Sequence, residues 1–311
     1  MGSALSMNRY DVYSPNVEAI VAKVVRDATS RDKTVPATLL RMHFHDCFIR
    51  GCDGSILLES RGGNKQKRCT TKQSLHAFYV IEGAKRAVEA VCPAVVSCAD
   101  ILAFAARDAS SSGRMRDYKM DPDILQDLSG GPRWDVSKGR KDGRTSKASE
   151  TSTLPSPLFN VSQLEKSFAL RGLSPQELVA LLGSHTLGSA LLLLREEDPQ
   201  LQLHPRRGPH NPPLLCEGAE GCVPPQEQGP KRGGRHGSFL HDVRHQPLQL
   251  ILNRQALFAS ISHPHLSANQ GFGLKIATSK RAFHTAFAKA MIKMSSLNGG
   301  QEIRKDCRFV N

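Results

Sequence analysis

The stretch Arg41-Met42-His43-Phe44-His45-Asp46-Cys47-Phe48-Ile49-Arg50-Gly51-Cys52-Asp53-Gly54-Ser55 decides the reading of this chain. Residues four apart on a helix share a face, so Arg41 and His45 point into one pocket; His43, two residues on from Arg41, points roughly the opposite way. A base beside a permanent cation suits the breaking of a polar bond, because the base moves a proton while the guanidinium steadies the departing anion. In the loop that follows, Asp46, Asp53 and Ser55 offer side-chain oxygens, whereas Ile49 and Gly51 offer only carbonyls. Such a cluster with two carboxylates suits Ca2+, which takes about 6 to 8 oxygen ligands, although the spacing is not that of an EF-hand. Cys47 and Cys52 bracket the loop at a spacing that a disulfide could close. Taken singly, a helical histidine is more often a core or surface residue and an acidic loop a solvated turn. Their joint occurrence is what carries weight.

Outside this stretch the apolar pattern is mostly helical. Val17, Ile20, Val21, Val24 and Val25 make one stripe, and Phe283, Ala286, Phe287, Ala290, Met291 and Met294 another. Strand-like alternation is scarce, so the expected fold is mainly α. Ser174-Pro175-Gln176-Glu177 reads as a capping box with proline at the first helical position. Leu178, Leu181 and His185 then fall on one apolar face near that helix's end, and from this helix alone His185 reads as a buried structural histidine.

The opening segment resembles the distal helix and distal calcium loop of the plant secretory (class III) haem peroxidases. Further motifs follow in that family's order: Ser14 to Ile20, Cys92-Pro93 through Leu102, Gly139-Arg140-Lys141-Asp142-Gly143-Arg144, Leu154-Pro155-Ser156-Pro157, Gly183-Ser184-His185-Thr186-Leu187-Gly188, and Ile303 to Asn311. The resemblance implies a mainly α, two-lobed helical fold with haem b between distal and proximal helices. It implies one domain over 1–311, with 10–190 and 278–311 family-like and 191–249 irregular and expected to be disordered. It also implies reduction of H2O2 and one-electron oxidation of small phenolic donors. His45 would then move the peroxide proton, Arg41 would stabilise charge, and His185 would be the axial ligand of the haem iron. Phe44 and Thr71 would support the distal side, and Pro155 would present its carbonyl to a donor. Asp46, Ile49, Gly51, Asp53 and Ser55 would hold a distal Ca2+; Thr186 and Asp242 would hold a proximal one. Cys47 would pair with Cys52, and Cys98 with Cys307.

The chain also departs from the family. It has eight cysteines, the family's number, yet the expected partner of Cys92 is missing, since Ser14 precedes Pro15. Leu191 to Leu194 replace the cysteine that follows the proximal histidine; Cys216 or Cys222 is its stranded partner, and Cys69 is extra. Thr71 stands where an asparagine holds the distal histidine, and Ile261 stands where an aspartate accepts the proximal histidine's proton. Leu191 to Leu194 and Ile261 fall within 190–249 and 261–277, which together with 111–127 read as divergent or frame-altered sequence.

Lysine and arginine number 42 against 29 acids, a net charge of +13. An anionic cell-wall polysaccharide is the expected partner for such a surface, because no zinc-finger spacing, RNA-binding aromatic pattern or basic heptad points to nucleic acid. No apolar run approaches the ~18 residues of a membrane span, and a monomer is expected. Paired cysteines and the resemblance point to a secreted or vacuolar protein. Met1 to Arg9 lacks a signal peptide's apolar core, which points either to a leader outside this sequence or to retention in the cytosol. Two rival readings stand beside the enzyme: a haem-binding remnant without turnover, and a basic binding module.

Overall fold

The computed structural model describes residues 5–10, 16–59, 75–111, 131–156, 159–183, 270–297 and 299–311. The irregular span 191–249 lies outside the described residues. Among these residues the helices are α1 (Val17–Arg31), α2 (Val35–Arg50), α3 (Phe78–Glu89), α4 (Cys98–Ser110), α5 (Val161–Ala169), α6 (Pro175–Leu182), α7 (Gln270–Thr278) and α8 (Lys280–Ser295). Short 3-10 turns occupy Ser55–Leu57 and Ala148–Thr153. No strand occurs among the described residues, only isolated bridges between Ser6 and Lys138 and between Asp142 and Glu302. The fold is mainly α, as the periodicity requires.

Helix α4 is the centre of the molecule. Every one of its residues is buried, and α1, α2 and α3 all pack on it. Ser97 starts it by accepting from the Asp100 amide at 3.1 Å, and Asp142 accepts from the next free amides, Cys98 at 3.1 Å and Ala99 at 2.9 Å. A helix buried all round must pair its polar side chains, and this one does. Arg107 bonds Asp108 and Glu18, while Arg140 Nη1 lies 2.9 Å from Asp100 Oδ1. The apolar stripe of α1 buries Val17, Val21, Val25 and Ala28 against α3 and α4, each valine adding roughly 1.5–3 kcal/mol relative to exposure.

The second stripe behaves alike. Phe287, Ala290, Met291 and Met294 of α8 are buried, with Phe283 and Ala286 at the edge of the core. Helix α8 packs on α6, α7 and α2. Ser279 separates α7 from α8 by capping the latter, its Oγ accepting from the Ala282 amide at 3.2 Å. Helix α7 covers much of the patch read as divergent near 261–277; Ile276 is buried there against Val179. That part of the divergent sequence keeps a helical apolar face.

Among the described residues two disulfides are present, Cys47–Cys52 and Cys98–Cys307, the latter closing 209 residues. Cys92 is buried and free among the described residues, in keeping with the missing cysteine near Pro15.

Candidate active site

Helix α2 carries the site. Pro36 stands in its first turn, where a missing amide proton is harmless, and Gly51 ends it with a positive φ of 87°. On one face, Arg41 Nε donates to His45 Nε2 at 3.3 Å. His45 Nε2 therefore presents a lone pair and the ring proton sits on Nδ1, the tautomer a general base requires. Much of the Arg41 side chain is open to solvent, yet protein surrounds its head closely enough that desolvation lowers the guanidinium pKa. The group stays a cation. Phe44, next to His45, is held by stacking on Phe48, with ring centroids 4.3 Å apart, and both rings lie against Phe168.

On the opposite face His43 is fully buried. Its Nε2 lies 2.8 Å from Ser295 Oγ; burial and then the Arg140 charge push its pKa down to about 3, so it is neutral. The spacing of Arg41, His43 and His45 is thus resolved into one pair in contact and one buried structural histidine.

Beyond α2 the chain folds back on itself. Asp46 accepts from the Gly54 amide at 2.7 Å and the Ile56 amide at 3.2 Å, and Asp53 accepts from the Ser55 amide at 3.0 Å. Two glycines are obligatory here. Gly54 has φ 64°, and a Cβ on it would lie 2.8 Å from Arg304 Nη2; a Cβ on Gly143 would lie 2.2 Å from Asp53 Oδ2. Burial raises the Asp53 pKa, against the opposing pull of Ser55, Arg304 and Arg50. Ser55 Oγ is buried and makes no hydrogen bond of ordinary geometry among the described residues, although it stands close enough to Asp53 to favour that carboxylate. A buried hydroxyl oxygen with no hydrogen bond of ordinary geometry beside two buried carboxylates fits a hard cation.

Pro155 follows the Ala148–Thr153 turn, which is tied to the end of α2. Arg50 forks onto Glu150, with Nε to Oε2 at 2.7 Å; Arg171 donates to the carbonyls of Phe48 and Thr153 and lies over the Phe48 ring. The structure therefore brings the Pro155 segment beside α2. Helix α6 has the capping box read from sequence, with Glu177 N to Ser174 Oγ at 3.3 Å and Ser174 N to Glu177 Oε2 at 2.6 Å. Leu178 and Leu181 are buried. Four site residues, Thr71, His185, Thr186 and Asp242, lie outside the described residues, as does Ile261.

Sequence reasoning missed three contributors. Asp142 caps α4 and also accepts from the Arg304 amide at 2.8 Å, while Arg304 Nη2 donates to the Gly54 carbonyl at 2.6 Å. Ser295 holds both His43 and Arg140. No local pattern marks these pairs, which are 155 to 252 residues apart.

The family model described as Peroxidase matches residues 21–210. The chain is 44% identical to Peroxidase 64 of Arabidopsis thaliana, over 99% of this chain and 93% of that protein. It is 38% identical to Peroxidase 66, over 99% and 93%, and 36% identical to Peroxidase 25, over 97% and 90%, both of the same plant. The molecule is thus a peroxidase, an oxidoreductase built on a helical frame. It belongs to the peroxidase family, in its plant class III branch.

Proposed function

We propose that this chain binds haem b through His185, reduces H2O2 and oxidises small phenolic donors one electron at a time. The observation that carries this reading is the 3.3 Å contact between Arg41 Nε and His45 Nε2 on one face of α2. The described part of the donor set fits the group: an imidazole and a fixed cation share one face of α2. When bound, haem b would supply the redox-active iron that takes up oxidising equivalents from peroxide and releases them singly.

The remaining steps fall to the protein. His45 Nε2 accepts the proton of the near peroxide oxygen and delivers it to the far one. Arg41 would stabilise negative charge on the departing oxygen as the O–O bond breaks. Two phenols then each give one electron and one proton, so that H2O2 and two phenols become two waters and two phenoxyl radicals. Thr71 would accept a hydrogen bond from His45 Nδ1, Phe44 would wall the distal side, and Pro155 would orient the phenol through its carbonyl. A distal Ca2+ on Asp46, Ile49, Gly51, Asp53 and Ser55 would fix the end of α2; a proximal Ca2+ would use Thr186 and Asp242. The basic surface, +13 overall, supports a secreted or vacuolar protein meeting anionic wall polysaccharide.

The test is reconstitution with haemin followed by peroxide consumption in the presence of a simple phenol. A Soret band with turnover that collapses in His45→Ala supports the reading. A Soret band without peroxide consumption in the unaltered chain would sink it and leave the haem-binding remnant; absence of any Soret band would leave the basic binding module.

A further inference from the structure

We propose that reduction of the Cys47–Cys52 disulfide creates a buried site for Zn2+ or a similar thiophilic divalent cation, with His43, Cys47 and Cys52 as its ligands. One ligand atom from each of the three lies within 4.8 Å of the others, and all three residues are at most 1% exposed. Cys47 Sγ is 3.7 Å from both ring nitrogens of His43. In a tetrahedral zinc site, with Zn–S about 2.3 Å and Zn–N about 2.0–2.1 Å, sulfur and nitrogen stand roughly 3.6 Å apart. The imidazole is therefore already at ligand spacing, and only the two sulfurs must part.

The surroundings favour the same outcome. Ser295 Oγ, 2.8 Å from His43 Nε2, can accept the Nε2 proton and leave the Nδ1 lone pair for the metal, the outer-shell arrangement that orients ligating histidines. Two thiolates neutralise a divalent ion, so the assembled site carries no net charge into the interior. Thiolate and imidazole select Zn2+ over Ca2+, which keeps this site chemically distinct from the oxygen cluster at Asp46 and Asp53. The chemistry balances with a trialkylphosphine as reductant. The S–S bond breaks, phosphine and water become phosphine oxide and two thiols, and the metal displaces two thiol protons to form two metal–sulfur bonds. The ion would then hold α2 to its loop in place of the disulfide.

The test uses the full chain in calcium-containing buffer, reduced with a trialkylphosphine, and Co2+ as the probe. The reduced chain should take up one Co2+ with sulfur-to-cobalt charge-transfer and tetrahedral ligand-field bands, and the oxidised chain should not. The bands should vanish in Cys47→Ser/Cys52→Ser and Co2+ affinity should fall at least tenfold in His43→Gln. Ser295→Ala keeps every ligand, so it should retain the bands with about 10–100-fold weaker affinity. Bands that survive the double cysteine variant, or an affinity untouched by His43→Gln, would overturn the proposal by assigning the metal to other thiols. So would a reduced chain whose helical circular dichroism is lost and not restored by Co2+.

Discussion

His43 Nε2 lies 2.8 Å from Ser295 Oγ, joining α2 to α8 across 252 residues of sequence. The contact continues inward. The Ser295 carbonyl accepts from Arg140 Nε at 2.8 Å, Arg140 pairs with Asp100 at 2.9 Å, and Tyr10 donates to the same carboxylate. Helices α2, α4 and α8 are thus bonded through buried polar groups behind the face that carries Arg41 and His45.

Arg140→Met should expose the cost of that arrangement. It leaves the Asp100 carboxylate buried without its cation and the Ser295 carbonyl without its donors. Loss of one partner of a buried pair costs about 3–5 kcal/mol, read as a lower urea midpoint. Adding Asp100→Asn should restore part of the loss, because the stranded charge is gone.

The two disulfides should differ in their contribution. Loop-closure entropy gives about 5 kcal/mol for the 209-residue separation of Cys98 and Cys307, and about 2 kcal/mol for the 5-residue separation of Cys47 and Cys52. Double serine variants of each pair, compared by denaturant unfolding, should rank in that order.

Within the reconstituted enzyme, His45→Ala should slow peroxide consumption by about 10²–10⁴-fold, the range for losing a general acid–base group. Arg41→Lys keeps the charge but not the planar fork, so a smaller fall of roughly tenfold is expected. Stopped-flow peroxide consumption checks both.

Acid stability should depend on Glu18. Burial alone would raise its carboxyl pKa, but hydrogen bonds from Lys138 and Arg107 outweigh it and the folded value is lowered. A depressed folded pKa means that this stabilisation is fully present above the ordinary carboxyl value near 4.5 and is lost as the pH falls below it. Because Glu18 is about one-third accessible, the effect is discounted to about 1 kcal/mol. Glu18→Gln should therefore flatten the acid limb of the stability profile and leave the neutral region less affected by pH.

Chelation of calcium should lower the melting temperature. An ion held at about a hundredfold over its dissociation constant adds about 2.7 kcal/mol, or roughly 4 °C for a chain of this length. Asp53→Asn should abolish the difference between calcium-loaded and chelated protein in a thermal melt.

Several of these features were legible before any coordinates. The Arg41–His45 pair follows from helical spacing, and the Ser174–Glu177 box from capping chemistry, both confined to a single turn or two. The pairings of Cys47 with Cys52 and Cys98 with Cys307 came by resemblance and match the structure. His43 was legible only as a residue facing away. Its partner Ser295 carries no periodic, capping or motif signal; Arg304 lies in the Ile303 to Asn311 motif, but nothing local in that motif marks its bond to the Gly54 carbonyl.

The chain's sequence by itself determined the helices, their caps, the two apolar stripes and the pairing of a base with a cation, because these depend on interactions within a few residues. Only the tertiary structure decided what holds His43 in the interior, and how Asp142, Arg304 and Ser295 lock the loop and helix ends. Those choices depend on burial and on hydrogen bonds between distant segments, where the desolvation of a polar group leaves few acceptable partners, and no local pattern encodes which partner it will be.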